Sequence, residues 1–303
     1  MQHIIGNISI LWAAPILNVG LLLDGLMIGA IFALAAYGLA LVWGVMNVKN
    51  LAQGDFIMMG GYVAWYLDQS GLHPLWGVPI AFLLLWGVGW VLYKAIVRKV
   101  ITRDLFTSLL ATFGIAIVIQ QGLNLAFGPN TQSAQANLPS WSLAGGLITV
   151  TGTRLFGLVL AVLLSAAVVL FMKNTRMGQA IRATAQDPRA ARVLGINTER
   201  VYTFTFCLNA AICGAAGALV AMVWNIQPFM GTTYSIRLFV IVTAAGFGNL
   251  PAVIAAGFGM GVFEQFGGFV FGAEFQQAII VLLLLAVLTV RQIQQLSLRQ
   301  ALQ

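Results

Sequence analysis

The sequence predicts an all-α, polytopic membrane protein of about eight to ten transmembrane helices, with one or more of them broken or half-length. Three observations carry that expectation. Hydrophobic residues make up 60% of the 303-residue chain and charged residues only 8%, whereas a soluble domain carries about a quarter charged residues. Too little polar side chain remains to cover a water-facing surface. The apolar stretches are continuous, which excludes the alternation of a barrel strand. Most of them approach the roughly 20 residues that cross a hydrocarbon core.

Taken in order, the apolar runs predict spans near 19–46, 51–68, 76–97, 105–127, 154–172, 201–224, 236–247, 252–271 and 275–291. Residues 4–16 form a further short apolar piece that either lies in the interface or crosses poorly. The run at 236–247 is too short for a full crossing and abuts Gly246, Gly248 and Pro251, so it reads as a half-helix. No internal repeat is visible in the sequence.

Basic residues set the orientation. Lys94, Arg98, Lys99 and Arg103 share one loop; Lys173, Arg176, Arg182, Arg189, Arg192 and Arg200 share a second; Arg291 and Arg299 lie in the C-terminal tail. The loop at 128–153 carries no charge. Lys and Arg collect in cytoplasmic loops, so the three basic segments face the cytoplasm and the uncharged loop faces outward. Counting crossings from these anchors places the N-terminus outside and the C-terminus inside. The net charge of +7 then reports sidedness and does not point to nucleic acid.

Glycines sit inside the spans as well as in turns. Gly25 with Gly29 and Gly257 with Gly261 form GxxxG pairs, and Gly214 lies close to Gly217. Between lipid-soluble helices such residues let backbones approach, so helix packing is the first reading and a path-lining role the second. Cys207 and Cys213 share one apolar run, and only His3 and His73 are present. These residues give no pattern for a disulfide or a metal site.

The most informative segment is the hydrophilic island NTRMGQAIRATAQDPRAARVLGINTER at 174–200, between two long apolar spans. Asp187 is suited to cap a helix with its carboxylate, and Pro188 fits the first helical position. Arg189 to Leu194 continue the turn, and Gly195 suits the left-handed residue that ends it. The resulting two turns present Ala190, Ala191, Val193 and Leu194 beside Arg189 and Arg192. Such a helix suits docking into a groove on a cytoplasmic partner; resting on lipid headgroups is the alternative.

These residues carry a resemblance. MGQAIRATAQDPRAARVLGIN resembles the cytoplasmic loop of permease subunits in the branched-chain amino acid ABC importer family. VKNLAQGDFIMMGGYVAW at Val48–Trp65 resembles a second hallmark of that family, and DGLMIGAIFALAAYGLALVWGV at Asp24–Val45 a third. The Phe239–Gly267 region, with GFGNLP and GVFEQFG, is similar to a fourth, more loosely. Gln53 stands where the family commonly has His, Asp55 where it has Glu, and Ala245–Ala252 reads AGFGNLPA in place of GGxGSxxG.

The resemblance implies one transmembrane permease domain over 1–303 whose coupling loop, about 174–200, engages ATPases through Asp187, Pro188, Arg189, Ala191, Arg192, Leu194 and Gly195. It implies two cytoplasmic ABC ATPase subunits, a second and non-identical permease, a periplasmic solute-binding protein, and residence in the bacterial inner membrane. Branched-chain or related amino acids are the implied solutes, with urea, short amides and small organic acids as the alternatives within the family. The residues agree on one independent point: no GxxxxGK[ST] phosphate loop occurs, so ATP belongs to separate subunits and no cofactor is expected in this chain.

Charged groups inside a membrane are costly and mark pathways or partners; Asp24, Asp55 and Glu264 are the candidates. Asn50, Gln53, Gly54 and Asp55 interrupt the apolar run between the first two long spans. They read either as a helix break beside a translocation path or as a tight cytoplasmic turn with Asp55 capping the next helix. Glu264 either lines a cavity or bonds a neighbouring helix. An ion-coupled secondary transporter would need several ionisable residues deep in its spans, and an intramembrane enzyme a nucleophile–base or metal set; neither pattern stands out.

Overall fold

The computed structural model describes residues 2–101, 103–143, 148–246 and 250–301. Among them the apolar runs become helices. The N-terminal apolar piece forms α1 (Gln2–Ala13), and Pro15 opens α2 (Pro15–Met46), where a proline costs little because a first-turn N–H has no helical acceptor. α2 is about 48 Å long and nearly all of it from Gly25 to Met46 is buried, as expected of a helix that is apolar on every face.

α3 (Gln53–Gln69) follows after an irregular stretch, then α4 (Gly77–Leu92), which passes through a π-turn at Tyr93–Val97 into α5 (Arg98–Val100). Asp104 caps α6 (Leu105–Phe127), its Oδ2 accepting the Thr107 N–H at 3.1 Å. The uncharged loop that follows α6 contains a short antiparallel hairpin, β1 (Trp141–Leu143) against β2 (Ile148–Val150), with Trp141 opposite Val150. Three-residue strands leave too short a hydrophobic pattern to be read from sequence. α7 (Gly152–Asn174), α8 (Arg176–Gln186), α9 (Pro188–Val193), α10 (Thr198–Val223), α11 (Gly231–Ala245), α12 (Leu250–Phe271) and α13 (Gln276–Ala301) complete the chain. Among the described residues, eight helical segments are long and apolar enough to cross a membrane. The 17-residue α3 is a shorter ninth.

α2 and α10 form the core, and small residues bring their neighbours close. A methyl group on Gly25 would meet the Val262 backbone, and one on Gly29 the Gly257 carbonyl, so the two GxxxG pairs interlock between antiparallel α2 and α12. α3 crosses α10 the same way, Gly60 against Gly214 and Ile57 against Gly217. Without a hydrophobic drive between helices in lipid, this close approach supplies the dispersion that holds them.

The structure also reveals an arrangement that the sequence hides. α2 ends, the chain continues irregularly through residues 47–52, with Asn47 left-handed and a turn at Leu51–Ala52, and α3 then runs beside α10. α10 ends, the chain returns through residues 224–230, and α11 then runs beside α2, with Phe32 near Tyr234 and Trp43 near Phe239. Each short helix thus packs on the other unit's long helix, and α2 and α10 are antiparallel: Phe32 stacks on Trp224 at one end while Gly38 lies on Asn209 further along. The two units run in opposite senses, as in transporters built from inverted repeats. They meet where Gly54 touches Gly231 near the starts of α3 and α11; a methyl group at Gly54 would overlap the Gly231 carbonyl oxygen.

The uncharged loop between α6 and α7 packs down onto this frame. Gln132 and Ile226 exchange backbone hydrogen bonds at 2.8 and 2.7 Å, the Ala134 N–H bonds the Ala221 carbonyl, and the Gln135 N–H bonds Asp68 Oδ2 at 3.0 Å. These bonds give protein partners to the backbone N–H groups of Gln132, Ala134 and Gln135.

Candidate functional site: an intramembrane break and a capped loop helix

The break at 47–52 lies inside the bundle. Asn50, Gln53 and Asp55 are at most 1% exposed. Asn50 stabilises the turn locally: its Oδ1 accepts the Ala52 N–H at 3.1 Å, and its Nδ2 donates to Gln53 Oε1 at 3.2 Å. Gln53 and Asn209 form a reciprocal amide pair, Gln53 Nε2 to Asn209 Oδ1 at 2.7 Å and Asn209 Nδ2 to Gln53 Oε1 at 3.0 Å. Asn209 sits near the middle of α10, so α3 begins halfway through the bundle. The tight cytoplasmic turn weighed from sequence therefore gives way to a buried break.

Neighbouring helices satisfy the backbone groups that the break frees. Ser235 Oγ accepts the Gly54 N–H at 2.8 Å and donates to the Leu51 carbonyl at 3.0 Å. Thr112 Oγ1 accepts the Leu51 N–H at 3.2 Å and lies 3.3 Å from the Lys49 carbonyl. Irregular backbone at membrane depth is tolerated only with such partners. Asp55, in the first turn of α3, receives Gln120 Nε2 of α6 on Oδ1 at 3.0 Å. The same Gln120 nitrogen is 3.4 Å from Thr232 Oγ1 in the first turn of α11. Asp55 thus faces the N-terminal ends of two helices, whose partial positive charge favours a carboxylate, and its buried Oδ2 has no hydrogen-bond partner.

Glu264 is 5% exposed and its Oε1 pairs with Arg237 Nη2 at 2.6 Å, joining α12 to α11. The guanidinium also stands 5.2 Å from the ring centres of both Phe32 and Tyr234, a placement worth more where water is excluded. Of the two readings for Glu264, the geometry gives the bond to a neighbouring helix. Asp24 pairs with Arg154 at 2.7 Å, tying α2 to the start of α7.

On the loop, α9 runs Pro188–Val193. Asp187 Oδ1 accepts the Arg189 and Ala190 N–H groups at 2.7 and 3.1 Å. These bonds, Ala190 first and then Arg189, hold the Asp187 carboxyl below its ordinary range, and the Arg189 charge adds to them. The far end closes with the Gly195 N–H on the Arg192 carbonyl and the Ile196 N–H on the Ala191 carbonyl, both at 3.0 Å, with Gly195 at φ 84°. This double bond pattern around a left-handed residue is the Schellman ending. Ala191 is buried, Arg192 Nε bonds Thr198 Oγ1 at 3.1 Å, and Val193 and Leu194 are 88% and 79% exposed. α8 precedes α9, capped by Thr175 and seated through buried Ile181 and Thr184.

Of the residues singled out from sequence, the structure gathers Asn50, Gln53, Gly54 and Asp55 in one buried cluster, places Glu264 in a separate ion pair, and sets the loop residues apart from both. Asn209, Ser235, Thr112, Gln120 and Arg237 complete these clusters and were not read from sequence; only the fold brings each to a partner distant in the chain. The GFGNLP match falls partly on residues 247–249, outside the described residues.

An α-helical bundle with a polar break at its centre and a capped loop helix at one end is the architecture of a membrane permease. Residues 21–288 match the family described as branched-chain amino acid transport system / permease component, and the chain belongs to that family. It is 28% identical over 285 residues to the high-affinity branched-chain amino acid transport system permease protein LivH of Salmonella typhimurium, covering 88% of this chain and 91% of the relative. It is 27% identical over 286 residues to the corresponding protein BraD of Pseudomonas aeruginosa, covering 89% and 92%. Among solved structures, PsaBC from Streptococcus pneumoniae in complex with Fab shares the fold, with a TM-score of 0.51 at 14% identity over 95% of this chain and 94% of that one.

Proposed function

We propose that this chain is the permease subunit of an ATP-driven importer in the bacterial inner membrane, carrying branched-chain or related amino acids. It carries out no covalent chemistry; ATP is bound and hydrolysed by two separate cytoplasmic subunits. A second permease completes the path, and a periplasmic binding protein delivers the solute. The N-terminus lies outside and the C-terminus in the cytoplasm, consistent with the three basic segments.

One observation carries the reading: α9 is capped at both ends yet leaves Val193 and Leu194 exposed beside Arg189 on a loop outside the spans. A solvated connector has no need of two bare aliphatic side chains on a defined turn, whereas a groove on a partner would cover them. ATPase closure would then displace the loop as a rigid unit and reorient α7 and α10, which flank it. Within the bundle, Asn50, Gln53, Gly54 and Asp55 lie beside the translocation path, and Glu264 supports it through Arg237.

The test is purification of the chain from its native membrane in mild detergent, with mass spectrometry of accompanying proteins and uptake in proteoliposomes. Recovery of ATPase subunits and ATP-dependent uptake of a branched-chain amino acid are expected. Recovery of the chain alone, with uptake persisting without ATP, would overturn the reading in favour of a secondary transporter. Uptake of urea, a short amide or a small organic acid in place of amino acids would keep the importer and correct the solute.

A further inference from the structure

The ends of α4 and α10 nearest the basic loops enclose a groove of about 370 Å³. Its floor is aromatic: Trp86 and Phe204 meet edge to face with centroids 5.0 Å apart, and Phe204 stacks on Phe171 at 5.6 Å. Trp90 forms a wall and is half exposed. The rim is polar, made by Lys94, Asn197, Arg200 and Thr203. The one carboxylate on that rim, Glu199, is already paired with Arg98 Nε at 2.8 Å, so Lys94 and Arg200 leave a net positive charge.

The backbone of α4 produces this rim. Tyr93 is fully buried, and the π-turn at Tyr93–Val97 sets exposed Lys94 outward, its Nζ 5.7 Å from the Trp90 ring centre. Local π-turns often mark functional positions. Tryptophan beneath lysine or arginine is the side-chain order of a membrane interface, and basic pockets between helices on the cytoplasmic side suit anionic lipid headgroups.

We propose that this groove binds an anionic phospholipid of the cytoplasmic leaflet. Lys94 and Arg200 hold its phosphate, and the upper acyl chain lies over Trp86, Trp90 and Phe204. The cytoplasmic placement rests on the orientation proposed above. Asn197 lines both this groove and a second hollow of about 500 Å³ that reaches Arg192 in α9. A lipid seated here braces the segment joining α9 to α10, next to the face offered to the ATPase.

The experiment places the purified complex in nanodiscs of phosphatidylcholine with or without phosphatidylglycerol, and reads the unfolding midpoint and the lipid retained in native mass spectrometry. Neither readout requires transport or a particular sidedness, so its failure is distinct from failure of the importer reading. Phosphatidylglycerol is expected to be retained and to raise the midpoint. Loss of each basic side chain should lower retention about fivefold, so Lys94→Gln with Arg200→Gln should abolish the shift while leaving the phosphatidylcholine midpoint unchanged. A control pair, Arg103→Gln with Lys173→Gln, should keep it. If the double variant does not fold, Lys94→Gln alone carries the test, because that side chain is exposed. Absence of a phosphatidylglycerol preference, equal loss in both pairs, or the same shift from soluble glycerophosphate would overturn the proposal.

Discussion

At the scale of single residues, the buried polar groups fall into two kinds with different consequences. The Gln53–Asn209 pair is neutral and reciprocal, so Asn209→Ala removes two bonds from Gln53, while Oε1 keeps the Asn50 amide and Nε2 keeps the Ala35 carbonyl. A typical hydrogen bond contributes about 0.5–1.5 kcal/mol net, and thermal unfolding in detergent should register a loss of that order for each of the two bonds. Arg237 and Glu264 are charged, and the Arg237 Nε and Glu264 Oε2 atoms are buried without hydrogen-bond partners. Removing one member leaves an unpaired charge, at about 3–5 kcal/mol, whereas replacing both with apolar residues is often near neutral. Glu264→Gln should therefore destabilise more than the pair Arg237→Met with Glu264→Met; the opposite order would make the ion pair a net source of stability. Asp55→Asn separates charge from shape, because an amide oxygen can still accept from Gln120. Uptake should fall while expression and unfolding hold, and unchanged uptake would remove Asp55 from the path.

At the scale of elements, the loop helix was the most legible feature of the sequence, and the reason is local. Asp187, Pro188 and Gly195 act on backbone within a few residues of themselves, and such chemistry needs no tertiary context. Polar residues along the spans were not legible, since Asn209 or Gln120 in an apolar run acquires meaning only from a helix far away in sequence. The run at 236–247, expected as a half-helix, instead starts at Gly231 and with the turn at Pro228–Met230 is long enough to cross a membrane; Gly231, Thr232 and Ser235 are drawn into the bundle by contacts with Gly54, Gln120 and Leu51 that hydropathy does not register. Proline cannot adopt the positive φ of Gly195, so Gly195→Pro should unseat the end of α9. ATP hydrolysis by the complex is then expected to continue while uptake is lost. The paired charge reversal of Arg189 and Arg192 should do the same, and full coupling in both would contradict docking. Because the Asp187 carboxyl is held low, the capping it gives is complete above the usual carboxylate range, near pH 4, and is lost only as pH falls through the lowered value. Coupling should thus show no Asp187-dependent change at neutral pH, and Asp187→Asn, which still caps, should remain coupled.

At the scale of the whole molecule, the two oppositely directed units make a statement about sidedness that neither charge nor hydropathy makes alone. If α2 and α10 run antiparallel, the uncharged loop at 128–143 and the helices α8 and α9 lie at opposite ends of the bundle, and only the absolute sense is left to the basic residues. Cys207 and Cys213 are both buried, so a cysteine introduced elsewhere can be labelled from solution against a quiet background. Asn130 and Gln186 are exposed and lie at the two ends. In intact spheroplasts a membrane-impermeant maleimide is expected to label Asn130→Cys and to reach Gln186→Cys only after lysis. The reverse pattern would invert the orientation, placing α9 away from any cytoplasmic ATPase and the lipid groove in the outer leaflet. Labelling of both sites in intact cells would mean that the spans between them do not seal the membrane. The first pattern alone lets the capped helix, the central break and the basic rim belong to one device driven from the cytoplasm.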